Sequence, residues 1–146
     1  MTTAQPLTNS VRRISASVDR NGLSHRRILI GRVLTGLATA FCIFDATLKL
    51  FKPPFVVQAT LQLGYPESTI IGIGAALLSA TVLYVVPRTS FLGALLLTGY
   101  LGGAVASNIR AQQPLFNVVF PVIFACIAWA GLVLRDRRLQ DLLRSK

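Results

Sequence analysis

Asp45 and Lys49 stand four residues apart inside a long apolar run, and no other pair in this chain is better placed to do chemistry. An acid followed by a base at i+4 is the favourable order for an intrahelical ion pair, and Lys52, at i+7 from Asp45, extends the same stripe. A charge at membrane depth is expensive unless it meets protein, water or a counter-ion. Lys49 and Lys52 can snorkel to the headgroups, whereas Asp45 is too short to do so. A second polar group, Ser107, Asn108 and Arg110, closes another apolar run that also holds Thr98 and Tyr100. Tyr65, Glu67, Gln112 and Gln113 stand in the connecting segments. General acid–base work needs a proton partner within reach, which Asp45 and Lys49 could supply, yet nothing resembling a nucleophile accompanies them. Zinc, haem and iron–sulfur sites need several thiolate or imidazole ligands. Here the single histidine, His25, lies in a basic tail, and Cys42 and Cys126 stand far apart in apolar runs, where both are expected to be buried and inert. No catalytic residue, no metal ligand and no cofactor site of its own is expected on this chain.

The elements that must hold these residues are four apolar runs, 28–51, 69–86, 91–107 and 115–134. At 1.5 Å per residue each can cross a hydrocarbon layer of about 30 Å, the shorter ones barely. Hydrophobic residues form 53% of the chain and charged ones 14%, against about 25% charge in soluble domains. The expected fold is therefore all-α: an integral membrane four-helix bundle over 28–134. It would be flanked by a basic, disordered cytoplasmic tail (1–27) and a basic cytoplasmic C-terminal segment (135–146), the latter as a short surface helix. Pro53-Pro54 ends the first run, since proline has no N–H to continue a helix. Residues 55–63 read as a short interfacial helix with Gln58 and Gln62 toward water, an extended loop being the alternative. Pro66 and Glu67 suit the start of the next helix. Pro121 would bend the last unless it sits in the first turn, and Trp129 suits the inner aromatic belt. Gly99, Gly103 and Ala106 form a small-residue stripe expected to pack against a neighbouring helix, in the bundle or in a dimer.

The net charge of +10 could indicate nucleic acid, but the basic residues flank the apolar runs, as membrane anchors do. Four crossings put both termini on one side. With the N-terminus inside, twelve basic residues lie inside and only Lys49, Lys52 and Arg110 outside, which places both termini in the cytoplasm. The Ser-, Thr- and Arg-rich tail also fits a mitochondrial presequence. Asp45 falls about 25 Å along its run and Asn108 about 26 Å along its own, both near the outer face. The expectation is a polar pocket opening outward, formed by Asp45, Lys49, Tyr65, Tyr100, Asn108 and Arg110, with Asp45 as its floor and Lys49 or Arg110 as counter-ion. The alternative is a structural clamp from Asp45 to the third run.

Several stretches resemble the DoxX-like family of small bacterial four-helix membrane proteins. They are Arg32-Val-Leu-Thr-Gly-Leu, Phe44-Asp45-Ala-Thr-Leu-Lys49-Leu-Phe-Lys-Pro53, Leu63-Gly-Tyr-Pro66, Pro87-Arg88-Thr89, Leu97-Thr-Gly-Tyr-Leu-Gly-Gly-Ala-Val-Ala106, Pro114-Leu-Phe and Phe120-Pro121. The resemblance spans about residues 27–142 and implies a bacterial inner-membrane protein. Where relatives often carry Thr-His-x-Arg, this chain reads Ser107-Asn108-Ile109-Arg110, so a titrating or metal-binding histidine does not carry over. The wider group includes proteins resembling quinone-linked oxidoreductase subunits and membrane-protein assembly factors. The primary expectation is an accessory or small-ligand-binding membrane protein. The alternatives are a subunit that meets quinone beside a membrane redox partner, and a small transporter built as a homo-oligomer.

Overall fold

The computed structural model describes residues 5–136, with side-chain surroundings from Arg26 onward. Five helices account for nearly all of it: α1 (Gln5–Phe51), α2 (Pro54–Gln62), α3 (Thr69–Val85), α4 (Ser90–Arg110) and α5 (Leu115–Arg135). No strand occurs among the described residues. Three segments are long and apolar enough to cross a membrane: Arg26–Phe51 of α1, α4 and α5. The fourth apolar helix, α3, has 17 residues.

Helix α1 begins upstream of the apolar run, so residues 5–27 are helical where a disordered tail is expected from composition. Beyond Pro6 that segment contains no proline and only one glycine, Gly22, so little in its sequence stops a helix. The surface helix expected over 135–146 lies outside the described residues, apart from Arg135 and Asp136. At the other end Pro53 and Pro54 stop α1 at Phe51, and Pro54 opens α2. The stretch after the prolines is thus helical rather than extended, with Gln58 and Gln62 exposed. Gly64 then reverses the chain at φ 80°. Its N–H bonds Leu61 O and that of Tyr65 bonds Thr60 O, which satisfies carbonyls left open at the end of α2.

Among the described residues, six of the twelve buried apolar ones are alanine or cysteine, while many large apolar side chains face outward. Ala38, Cys42, Ala46, Ala80, Ala94 and Ala128 are buried, while Val33, Phe44, Leu95 and Val122 are exposed. Water would drive the opposite sorting, whereas in lipid helices associate by close backbone approach. With three spans of sufficient length, this is the surface of a membrane protein. Helix α1 packs on α3 and α5, and α4 packs on the same two.

Tyr84 locks one end of this arrangement. It is fully buried, and its hydroxyl donates to Ala128 O at 2.8 Å beside Thr35 Oγ1 at 3.4 Å, joining α3 to α5 and α1. Arg135 donates to the Tyr84 carbonyl at 2.7 Å and lies over its ring. Deleting the hydroxyl removes this second bond to Ala128 O, which keeps its helical partner, so Tyr84→Phe should cost about 1 kcal/mol, measurable by thermal unfolding in micelles. On the same side Trp129 donates to Thr98 Oγ1 at 2.8 Å and meets Phe91 edge-on. Cys42 is buried as expected. Cys126 is exposed, because it falls on the face of α5 opposite the packed residues Ala128 and Leu132.

Candidate ligand-binding site

Helix periodicity stacks Phe41, Asp45 and Lys49 on one face of α1, and Tyr100, Gly103, Ala104, Ser107 and Asn108 on one face of α4. The two faces border one cavity of about 630 Å³, within the range of small-molecule sites. Ile73 of α3 and Phe116, Asn117, Phe120 and Pro121 of α5 complete the walls, and Thr60, Leu63 and Tyr65 come from α2 and the turn after it.

Five of the six residues singled out from sequence border this space: Asp45, Lys49, Tyr65, Tyr100 and Asn108. Lys49 Nζ lies 2.5 Å from Asp45 Oδ1, so Lys49 is the counter-ion. Both members belong to α1, and among the described residues Asp45 forms no ion pair with α4; the clamp between the two helices is not what this pair does. Arg110 does not border the cavity. It donates to Leu63 O at 2.7 Å and lies over the Tyr65 ring, because the reversal at Gly64 leaves that carbonyl facing the end of α4. A Cβ on Gly64 would come 3.2 Å from the Arg110 guanidinium, which is flexible enough to shift, so it is the positive φ that calls for glycine here.

The α2–α3 connection is fastened over the cavity at three points. Tyr65 O–H donates to Ser107 Oγ at 2.7 Å, whose own proton goes to Gly103 O. Arg110 holds Leu63, and Lys52 pairs with Glu67 at 3.5 Å. Asn108 donates to Ala104 O, leaving its side-chain carbonyl available, and the Tyr100 hydroxyl has no hydrogen-bond partner among the described residues. Pro121 stands in the second turn of α5 and has no N–H to give the Asn117 carbonyl, which therefore lacks its helical bond at the cavity wall. Aromatic rings complete the lining, with Phe41 of α1 against Phe120 and Phe124 of α5, and Phe116 against Phe120.

Gly99 and Gly103 border this cavity as well, and a Cβ added to either would meet no atom within 4 Å. Ala106 is exposed. Within the chain these residues do not pack one helix on another, contrary to the expectation from their spacing. Small side chains permit a close helix contact and an empty space equally well, and the sequence pattern does not distinguish them. The contribution of Phe116, Phe120 and Pro121 was also not visible as a site signal, since phenylalanines in an apolar run read as ordinary lipid-facing residues.

No curated protein matched the chain. No solved structure matched it either. The DoxX-like family matches residues 33–131, narrower than the span of about 27–142 expected from sequence but including Asp45, Lys49, Tyr65, Tyr100 and Asn108. With its family match over two thirds of the sequence and its apolar helices enclosing these residues, the chain belongs to the DoxX-like family.

Proposed function

We propose that this chain is an accessory, non-enzymatic protein of the bacterial inner membrane that binds a small amphiphile. In this reading α1, α3, α4 and α5 form a four-helix bundle across the bilayer with both termini in the cytoplasm. The cavity then opens in the outer leaflet. The supporting observation is that Asp45, Lys49, Tyr65, Tyr100 and Asn108, far apart in sequence, border one space with an aromatic side. Polar groups at one end and phenylalanines along a wall match a ligand with a hydrogen-bonding head and an apolar body.

Gly103 supplies a clean test. Gly103→Leu fills the cavity without meeting an atom at Cβ, and leucine favours helix over glycine by about 1 kcal/mol. Gly102→Leu on the same helix is the control, since Gly102 is equally open but does not border the cavity. Both variants should fold. Native mass spectrometry of protein extracted with its lipids should show a retained small molecule in wild type and Gly102→Leu, reduced about tenfold or more in Gly103→Leu. Equal retention in all three would remove the cavity from the function. The same spectra report subunit number and any membrane partner.

A quinone beside a redox partner is the second occupant, favoured by the Phe41, Phe116 and Phe120 wall, which suits a flat ring. It requires a quinone in the extracted ligand fraction and slower electron transfer in Asp45→Asn.

A further inference from the structure

We infer that the cavity selects an uncharged amphiphile, one whose head offers a hydroxyl or carbonyl rather than a phosphate, carboxylate or ammonium group. This rests on the ligand-binding role proposed above and narrows it to a chemical class.

The charged groups that border the cavity are one acid and one base, Asp45 and Lys49, and they neutralise each other at 2.5 Å. Neither is free to compensate a charge brought by a ligand. Arg110 lies outside the lining and is engaged by Leu63 O and the Tyr65 ring. Lys52 and Glu67 pair with each other beyond the cavity. An anionic head would have to draw Lys49 away from Asp45, and a cationic head would have to draw Asp45 away from Lys49. Each exchange leaves one charge uncompensated in a largely apolar space, which costs more than the new contact returns.

The hydrogen-bonding groups that remain are of both kinds. The Asn108 side-chain carbonyl accepts, while the Tyr100 hydroxyl and the remaining Lys49 N–H groups donate. A hydroxyl can use both kinds and a carbonyl can use the donors. The apolar remainder lies toward Phe41, Phe116, Phe120 and Ile73. A two-chain phospholipid carries a phosphate charge into this set and fits it poorly.

Three probes with one tail length test the claim: neutral dodecanol, anionic dodecyl phosphate and cationic dodecyltrimethylammonium. Each is added at equal mole fraction to full-length protein in nanodiscs, and retention is read by native mass spectrometry. Wild type should retain dodecanol about tenfold or more over either ion, because each ion leaves a charge uncompensated in the site. Asp45→Asn should turn the preference toward the phosphate. Lys49→Met should turn it toward the ammonium. The double variant D45N/K49M has no charge, so it should return to dodecanol; it also serves where a single variant folds poorly. Equal or tighter retention of either ion by wild type overturns the inference, and if Gly103→Leu abolishes that retention the cavity itself still stands as a binding site. Retention of no probe, with Gly103→Leu the same as wild type, overturns both.

Discussion

Replacing Gly93 by leucine should abolish stable folding of the chain in detergent micelles, the largest single-site effect expected here. Gly93 sits in the first turn of α4, and its α-carbon faces the backbone of Leu83 and Tyr84 at the end of α3. A Cβ there would overlap the Tyr84 backbone, which, unlike the far end of a flexible side chain, cannot swing aside. The two helices are joined by only Val86, Pro87, Arg88 and Thr89, so neither can slide to make room. Thr89 fixes that turn further by bonding Leu83 O at 2.9 Å. Overpacking a closed core costs about 1–3 kcal/mol, occasionally more, and displacing Tyr84 would also disturb its bonds to Ala128 O and Thr35. A total of about 4 kcal/mol approaches the whole stability of a small domain. Gly93→Ala should already lower the thermal midpoint, whereas Gly102→Ala, in open space, should leave it unchanged or raise it. Gly93→Ala melting with the wild-type midpoint would show that α3 and α4 are farther apart than described.

Removing one member of the Asp45–Lys49 pair should destabilise the protein more than removing both. Breaking a fully buried pair costs about 3–5 kcal/mol, because the survivor is left as an uncompensated charge. Side-chain exposures of 30% for Asp45 and 19% for Lys49 reduce this, to about 2–3 kcal/mol for Lys49→Met. Asp45→Asn should cost less, since the stem of Lys49 can carry its ammonium toward the headgroups and that of Asp45 cannot. The double variant should recover most of the loss, giving a coupling of about 2 kcal/mol in a double-mutant cycle on unfolding free energies. Coupling near zero would mean that the pair is solvated like a surface one.

Both predictions concern residues whose presence was visible in the sequence but whose meaning was visible to different degrees. Asp45 and Lys49 announced a pair by spacing alone, because side chains at i and i+4 meet on any helix. The convergence of Asp45 with Asn108 was also foreseeable, since two runs read in the same direction bring residues at equal depth to one level. Arg110 shows where such counting ends. Depth put it beside Asp45, but its partner was decided by the reversal at Gly64, which turns Leu63 O toward it. The glycines divide in the same way. Gly93 is a helix contact and Gly103 borders an empty space, yet both stand in the same apolar run among similar neighbours.

Taken alone, the sequence determined the apolar helices, their breaks at Pro53-Pro54 and the placing of the polar groups toward one end, because these follow from chain-local quantities: hydropathy, length and rise per residue. The tertiary structure alone decided which small residues touch, that α2 and its turn are tied over the cavity by Tyr65 and Arg110, and that phenylalanines of α5 face Asp45 across it. Those outcomes depend on how each helix is rotated and tilted against its neighbours. That rotation is set by the summed contacts of all the helices at once, which no single segment encodes.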